Sequence, residues 1–217
     1  MTQDDKLKIS QAQKKKAIQS LSFLEKLFVN YQGVSFEQMK ELVVNAEITK
    51  SPTVSSDFSL PDLGKEYNYY AFSDGACRGN PGPGAWGSLV QDSEGLVVYE
   101  ASSVEMNTTN NRMELQGAIE ALRFIRNELG TEGPVALVSD SKYVVEGLKS
   151  WMAGWKKRGW KKADKKTPEN VELWQEIDQV VSGFSMIHYF WVKGHSGHPQ
   201  NEKCDQLANE ALDDAGF

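Results

Sequence analysis

The hydrophobic pattern of residues 67–217 alternates between segments typical of strands and segments typical of helices. Short apolar or alternating runs, bounded by turn residues, predict strands at 68–73, 86–91, 96–103, 135–139 and 185–191. Apolar residues at helical spacing predict helices at 108–129, 141–148, 168–182 and 201–211. The run at 135–139 is continuously apolar, as expected for a central strand buried on both faces. This order predicts an α/β fold, in which helices flank both faces of a mixed five-stranded sheet.

The first 66 residues follow a different pattern. Apolar positions at helical spacing predict an amphipathic helix over 14–31, which Gly33 interrupts, and a second helix over 36–46. Ser35 is followed three residues later by Gln38, which resembles a capping box at the start of the second helix. We therefore expect a small N-terminal helical extension.

The domain boundaries follow from this change of pattern. We place a helical hairpin at 1–48, a Ser- and Pro-rich linker at 49–66 and the main domain at 67–217. The first 66 residues carry nine acids and nine bases, a balance that does not favour nucleic-acid binding. Because a hairpin of this size is marginal alone, we expect it to pack on the main domain or contact a protein partner.

Composition narrows the class of protein. The chain is 40% hydrophobic and 25% charged, which is typical of a soluble globular protein. No segment approaches the roughly 18 apolar residues that span a bilayer, and the polar, lysine-rich N-terminus lacks the apolar core of a secretory signal. Two cysteines fit a reducing compartment, so we expect a cytoplasmic protein without a membrane association.

Charge is distributed unevenly. The net charge of −6 argues against binding nucleic acid through the whole surface, yet residues 155–166 (WKKRGWKKADKK) carry seven bases and one acid. This segment is typical either of one polyanion-binding face or of a solvated loop.

Four acids are candidates for a metal site. We expect Asp74 and Asp140 at the carboxyl ends of strands, Glu114 in the long helix and Asp205 at the start of the last helix. Each has an ordinary alternative: Asp140 as a helix cap, Asp205 as a surface acid near a helix start, and Glu114 as a solvated helix residue. If they converge, their repulsion demands cations, and hard oxygen ligands suit Mg²⁺.

Five motifs, in order, cover residues 68–212: FSDGACRGNPGPGAWG, TTNNRMELQGAIEAL, VSDSKYV, WKKRGWKKADKKTPENVELW and WVKGHSGHPQNEKCDQLA. Together they resemble the bacterial type 1 ribonucleases H. The resemblance implies the ribonuclease H-like fold and an endonuclease that hydrolyses the RNA strand of RNA–DNA hybrids, leaving 5′-phosphate and 3′-hydroxyl ends.

The resemblance also implies which residues act. The four acids would bind two Mg²⁺ ions, with Mn²⁺ as a substitute, and His195 would assist proton transfer or product release from a mobile loop. RNA hydroxyls would be contacted by the backbone at Cys77 and Gly79, the side chain of Asn80, and Glu114. Positions used for contact with DNA would be Thr109, Asn110, Asn111 and Asn170.

Residues 151–162 correspond to the basic protrusion of the family, the handle. Its DNA-gripping side chains would be Lys156, Lys157, Arg158, Lys161 and Lys162. Base stacking and internal packing are alternative roles for its tryptophans; we favour packing for Trp151 and Trp155 and assign Trp160 to nucleic-acid binding. Lys142 departs from the glutamine of close relatives, which affects the hybrid contacts but not catalysis.

Two other functions are weighed against a monomeric ribonuclease H. One is a non-catalytic module that binds hybrids, which would have no need of a repelling acidic cluster. The other is a nuclease or integrase of the same superfamily that acts on DNA, which the handle and the paired asparagines disfavour.

Overall fold

The computed structural model describes residues 59–217 continuously and, before them, Lys14, Ala17, Leu21, Ser35, Glu37, Gln38, Lys40 and Glu41. All of these earlier residues except Ser35 are helical. Ser35 N donates to Gln38 Oε1 (3.1 Å) and Gln38 N donates to Ser35 Oγ (3.2 Å), the two bonds of the expected capping box. The remainder of the predicted hairpin, and the linker up to residue 58, lie outside the described residues.

Within residues 59–217, the strands form one mixed sheet of five. They are β1 (Tyr69–Cys77), β2 (Gly82–Asp92), β3 (Val97–Thr108), β4 (Pro134–Ser139) and β5 (Met186–Trp191). Their order across the sheet is β3-β2-β1-β4-β5. The first three are antiparallel, while β4 runs parallel to both β1 and β5. The predicted fold class is confirmed.

β1 is longer than the sequence pattern indicates, so Asp74 lies inside the strand and not at its end. The parallel pairing with β4 stops at Ser73 opposite Ser139, whereas the antiparallel pairing with β2 continues to Cys77. The two neighbours of β1 therefore end at different levels. The hydrophobic pattern of β1 therefore stops where its pairing with β4 stops, whereas its pairing with β2 continues for four more residues.

The helices follow the predicted order. They are α1 (Asn110–Phe124), α2 (Lys142–Glu146), α3 (Met152–Lys157), α4 (Val171–Val181) and α5 (Pro199–Asp214). Two π-helical turns, Ile125–Leu129 and Gly147–Trp151, continue α1 and join α2 to α3. Among the described residues, none of the helices combines the length and the apolar character that crossing a membrane requires.

The sheet separates two cores. Alternate residues of one strand face opposite sides, so Ala71 packs with α1 and α4 while Phe72 packs on the side of α5. The α5 side is close-packed at backbone level: a Cβ added to Gly87 of β2 would lie 2.0 Å from the Cys204 carbonyl oxygen. The glycine thereby lets α5, the helix that carries Asp205, rest directly on the sheet.

Residues 59–66, which the sequence analysis places in the linker, pack against the main domain. Leu60 and Leu63 pack against the core on the α5 side. The Ser59 carbonyl accepts a hydrogen bond from Gln200 Nε2 (2.7 Å), and the same amide donates to Gln91 Oε1 (2.9 Å). This segment therefore joins β2 and α5.

Gly87→Ala is expected to destabilise the domain by about 3 kcal/mol or more, because the added methyl overlaps backbone that cannot move without shifting α5. Urea unfolding followed by circular dichroism measures the loss. Gly154→Ala is the matched control, since the nearest atom to its added Cβ belongs to the flexible end of Arg158 (3.1 Å). Equal stability of the two variants would contradict the close contact.

Candidate active site

Neighbouring strands place two acids side by side. Asp74 and Asp140 each follow the last residue pair of the parallel β1–β4 ladder, Ser73 and Ser139. Both continue the side-chain alternation that faces α5. Ser141, and not Asp140, caps α2, since Ser141 Oγ accepts from Val144 N (3.4 Å). The capping alternative for Asp140 is therefore wrong.

α1 delivers the third acid. Glu114 points inward and is only 7% exposed, so the solvated alternative for this residue is wrong. The helix backbone lies close to β1: a Cβ on Gly75 would lie 2.6 Å from Glu114 N. Oxygens of Asp74, Glu114 and Asp140 all lie within 4.8 Å of one another.

Asp205 lies near this cluster of three and outside it. It belongs to the second turn of α5, not to the first, because the helix begins at Pro199. Its charge contributes to raising the pKa of Asp74 and of Glu114. The structure thus groups three of the four predicted acids tightly and places the fourth within electrostatic reach.

Burial and mutual repulsion set the charge state of the cluster. Burial, and then the charge of Asp140, raises the pKa of Asp74 to about 7. Burial, followed by the charges of Asp74 and Asp140, holds the pKa of Glu114 well above its ordinary range. Burial also raises the pKa of Asp140. Without cations, at least part of this cluster keeps its protons near neutral pH.

Hydrogen bonds orient the carboxylates incompletely. Asp74 accepts from Gly75 N (2.7 Å) and from Asn201 Nδ2 (3.2 Å), and Glu114 Oε1 accepts from Asn110 Nδ2 (3.2 Å). Glu114 Oε2 and Asp140 Oδ1 are buried without a hydrogen-bond partner among the described residues. Buried carboxylate oxygens that accept no hydrogen bond are suited to bind a divalent cation, which would compensate for the missing partner. The residues present therefore fit a metal centre.

Sequence reasoning missed Asn201, and it did not anticipate that Asn110, a predicted DNA contact, also donates to Glu114. Asn201 is 3% exposed and donates to Asp74 from the first turn of α5. Its spacing of four residues from Asp205, on the same helix, is a signal that could have identified it.

The loop after β5 closes one side of Asp140. Trp191 Nε1 donates to the Asp140 carbonyl oxygen (2.8 Å), and Lys142 Nζ lies 4.8 Å from the centre of the Trp191 ring. A Cβ on Gly194 would lie 2.3 Å from Asp140 Oδ2, so a larger residue there would displace this carboxylate oxygen. His195 follows with a left-handed backbone (φ 49°) and an exposed side chain, and it lies close enough to offset a small part of the rise that burial causes in the pKa of Asp140.

The β1–β2 hairpin contacts the start of α1. Asn80 Oδ1 accepts from Asn110 N (3.3 Å), beside Thr109, the N-cap residue, and the exposed Asn111. Cys77 is half-buried, and its thiol donates to the carbonyls of Gly82 and Thr108. Gly79 has a φ of 93°, which favours glycine at the exposed tip. These predicted RNA-contacting and DNA-contacting residues thus form one continuous edge.

The tryptophans of the handle mainly pack it together. Trp155 is buried against Trp174, with ring centroids 5.4 Å apart, and Trp160 packs on the same core. Trp151 is 40% exposed and contacts Tyr143 and Trp155. The packing alternative is therefore better supported than base stacking for Trp155, and also for Trp160.

The basic residues of the handle are not equivalent. Lys156 Nζ pairs with Asp178 of α4 (2.6 Å), and Lys161 Nζ donates to Thr167 (2.8 Å). Lys157 and Arg158 are exposed, while Lys162 is partly covered. Asn170 begins α4 and donates to the Tyr143 hydroxyl (3.2 Å). The charge available to an external anion therefore lies mainly on Lys157 and on Arg158, whose Nε also donates to the Lys161 carbonyl oxygen (3.1 Å).

The family model described as RNase H matches residues 66–213. The chain belongs to the ribonuclease H family. This confirms the resemblance carried by the five motifs. Ribonucleases H are enzymes that depend on divalent metal ions, which agrees with the carboxylate cluster.

Individual ribonucleases H give the extent of the similarity. The chain is 51% identical to the ribonuclease H of Alcanivorax borkumensis over 147 residues. The aligned region covers 68% of this chain and 93% of that protein. LC9-RNase H1, a type 1 RNase H with the type 2 active-site motif, is 36% identical (TM-score 0.60; 72% of this chain, 75% of that one). LC11-RNase H1, solved in complex with an RNA/DNA hybrid, is 25% identical (TM-score 0.54; 68% and 98%).

The raised pKa of Asp74 predicts a pH-dependent cost to stability in metal-free protein. The folded state holds a proton that the unfolded state releases between the ordinary value of 3.8 and about 7, so stability falls as pH rises through this window. The loss is complete above about pH 7. Asp74→Asn is expected to raise the melting temperature at pH 8 by about 5 °C, and by less at pH 5.

Calorimetric scans with a metal chelator test this expectation. Added Mg²⁺ should stabilise wild type at pH 8 more than it stabilises Asp74→Asn, because binding to the folded state shifts the unfolding equilibrium. The exposed Asp214→Asn is the control for a change of charge. A melting temperature for Asp74→Asn below that of wild type at pH 8 would refute a raised pKa.

Proposed function

We propose that the chain is an endonuclease that cleaves the RNA strand of RNA–DNA hybrids with two bound divalent ions. The observation that carries this proposal is the cluster of Asp74, Glu114 and Asp140, with its raised pKa values and buried unpartnered oxygens. The hybrid substrate is supported by the similarity to LC11-RNase H1, which was solved with such a duplex.

The four acids divide into a central group and an outlying member. Asp74, Glu114 and Asp140 would hold the ions between them, and Asp205 would complete the site from α5. Oxygen-only ligands favour Mg²⁺, with Mn²⁺ as a substitute. When bound, two such ions stabilise the attacking and departing oxygens of an in-line displacement.

The protein's own groups handle positioning and protons. His195, exposed next to Asp140, is placed to exchange a proton with solvent and with the departing product. Glu114, a member of the carboxylate cluster, accepts a hydrogen bond from Asn110, and Asn110 N in turn donates to Asn80 of the hairpin edge. Cleavage at the 3′-oxygen would leave 5′-phosphate and 3′-hydroxyl ends.

Strand choice requires recognition of the 2′-hydroxyl. The hairpin edge offers polar groups at Asn80, Asn110 and Asn111, and exposed backbone at Gly79. We infer that RNA lies against Cys77, Gly79 and Asn80. The DNA strand would pass Thr109, Asn110, Asn111 and Asn170 toward the handle.

The N-terminal extension is proposed as an accessory element of a monomeric enzyme. The chain divides into Met1–Ser55 and Ser56–Phe217, and the family match begins at residue 66. The balanced charge of this extension favours contact with protein over contact with nucleic acid.

The two free cysteines fit the reducing cytoplasm, where we propose that the protein acts.

Substrate choice and catalysis are tested together by offering labelled hybrid, double-stranded RNA and double-stranded DNA with Mg²⁺. Wild type should cut only the RNA of the hybrid. Asp140→Asn should lower the rate by about 10³-fold or more, since a ligand of the transition-state cations is lost, while hybrid binding persists. Asp214→Asn is the control. Cleavage of double-stranded DNA, or of nothing, by wild type would overturn the proposal.

Salt dependence tests the handle. Lys157→Ala and Arg158→Ala should each weaken hybrid binding and reduce the slope of log K against log salt by up to about 0.9, since each removes one phosphate contact. Lys156→Ala is the matched control, because its charge is already paired with Asp178. Fluorescence anisotropy between 50 and about 200 mM salt measures the slopes. An equal effect of the three substitutions would contradict the inference that Lys157 and Arg158 are more available to phosphate than Lys156.

A further inference from the structure

Asp205 is held by a neighbour on its own helix. Asn209 Nδ2 donates to Asp205 Oδ1 (2.7 Å) and to the Asp205 carbonyl oxygen (2.9 Å). The two residues are one turn apart in α5 and both are half-buried. The amide therefore restricts the rotation of the carboxylate that lies outside the central cluster.

Arg78 holds the other side of that amide. Arg78 Nη1 donates to Asn209 Oδ1 (2.8 Å), and Nη2 donates to Asp213 Oδ1 (3.1 Å). Asp205, Asn209 and Asp213 are spaced by four residues and share one face of α5. A guanidinium on the amide oxygen polarises the amide and strengthens its donation to Asp205.

Arg78 stands in the hairpin that faces the substrate. Its neighbours in sequence are Cys77 and Gly79, the positions assigned above to RNA contact, and its backbone N donates to the Pro83 carbonyl (2.7 Å). The hairpin is thus joined by two hydrogen bonds in series, Arg78–Asn209 and Asn209–Asp205, to an acid of the metal site.

We propose that Arg78 and Asn209 are positioning residues that set the orientation of Asp205 and couple it to the seating of the hybrid on the hairpin. This inference rests on the proposed function, since it assumes that Asp205 helps to hold a divalent ion. A hybrid that fixes the hairpin would also fix Arg78, and through Asn209 it would hold Asp205 toward the cluster.

A purely structural role predicts a different dependence. Arg78 and Asp213 are 41% and 67% exposed, and an ion pair so exposed contributes little to stability. If the contact merely tied the hairpin to α5, then Asp213→Asn and Asn209→Ala would have similar consequences. If it positions Asp205, only the loss of Asn209 or Arg78 changes the response to metal.

The first experiment compares Asn209→Ala with Gln206→Ala in the full-length protein. Gln206 Nε2 donates to Glu210 Oε1 (2.6 Å), a contact of the same kind and spacing on the same helix. Asn209→Ala should raise the Mg²⁺ concentration for half-maximal hybrid cleavage by about three- to tenfold, since one hydrogen bond to a charged group is lost. KM for the hybrid should change little. Gln206→Ala should match wild type.

A spectroscopic readout needs no activity. In ¹⁵N-labelled wild type, a Mg²⁺ titration should shift the side-chain amide signals of Asn209, because the amide donates to an acid that meets the ion. The same titration of Arg78→Ala should give a weaker apparent affinity. Asp213→Asn should titrate as wild type does.

A double variant tests the series arrangement. Arg78→Ala with Asn209→Ala should require no more Mg²⁺ than Asn209→Ala alone, because Arg78 acts through the amide. Independent, multiplying effects would refute the coupling, as would an Asn209→Ala variant indistinguishable from Gln206→Ala. Failure of wild type to cleave the hybrid would instead remove the proposed function, and the amide titration would then report on metal binding alone.

Discussion

The repulsion between buried carboxylates at one edge of the sheet is the constraint on which the rest of the structure depends. Asp74 and Asp140 are adjacent because β1 and β4 are parallel and in register, and Glu114 is added because Gly75 lets α1 approach β1. Burial, and then the charges of the neighbouring acids, raise the pKa values of these carboxyl groups. The fold therefore maintains a concentration of negative charge that only protons or cations relieve.

The elements around this cluster differ in rigidity, and the roles of their residues differ accordingly. The acids of the central group stand on a strand, a strand end and a helix, all fixed by the two cores. His195 instead lies on a loop with a left-handed backbone and an exposed side chain. Rigid groups define the charge that a transition state meets, whereas a group that moves protons or releases product benefits from freedom.

Much of the fold and the central acids could be predicted from the sequence. The period of apolar residues indicates which face of each element is buried, and the order of strands and helices along the chain predicted a mixed five-stranded sheet. The pattern could not show that β1 passes Asp74, since that depends on the different lengths of its two neighbours. Helical spacing could point to Asn201 on α5, but the pattern could not show its contact with Asp74, or the pairing of Lys156 with Asp178, because these partners are distant in sequence.

The contact at Gly87 limits how this architecture can vary. Main chain meets main chain there, so the distance between sheet and α5 is independent of the volume of any side chain. Elsewhere in the core, a larger residue on one layer can be compensated by a smaller one on the other. At Gly87 no such compensation is possible, because the backbone of β2 directly contacts the backbone of α5. Gly87 is paired with Asp74 of β1, so this backbone contact also sets the distance between the strand that carries Asp74 and the helix that carries Asp205.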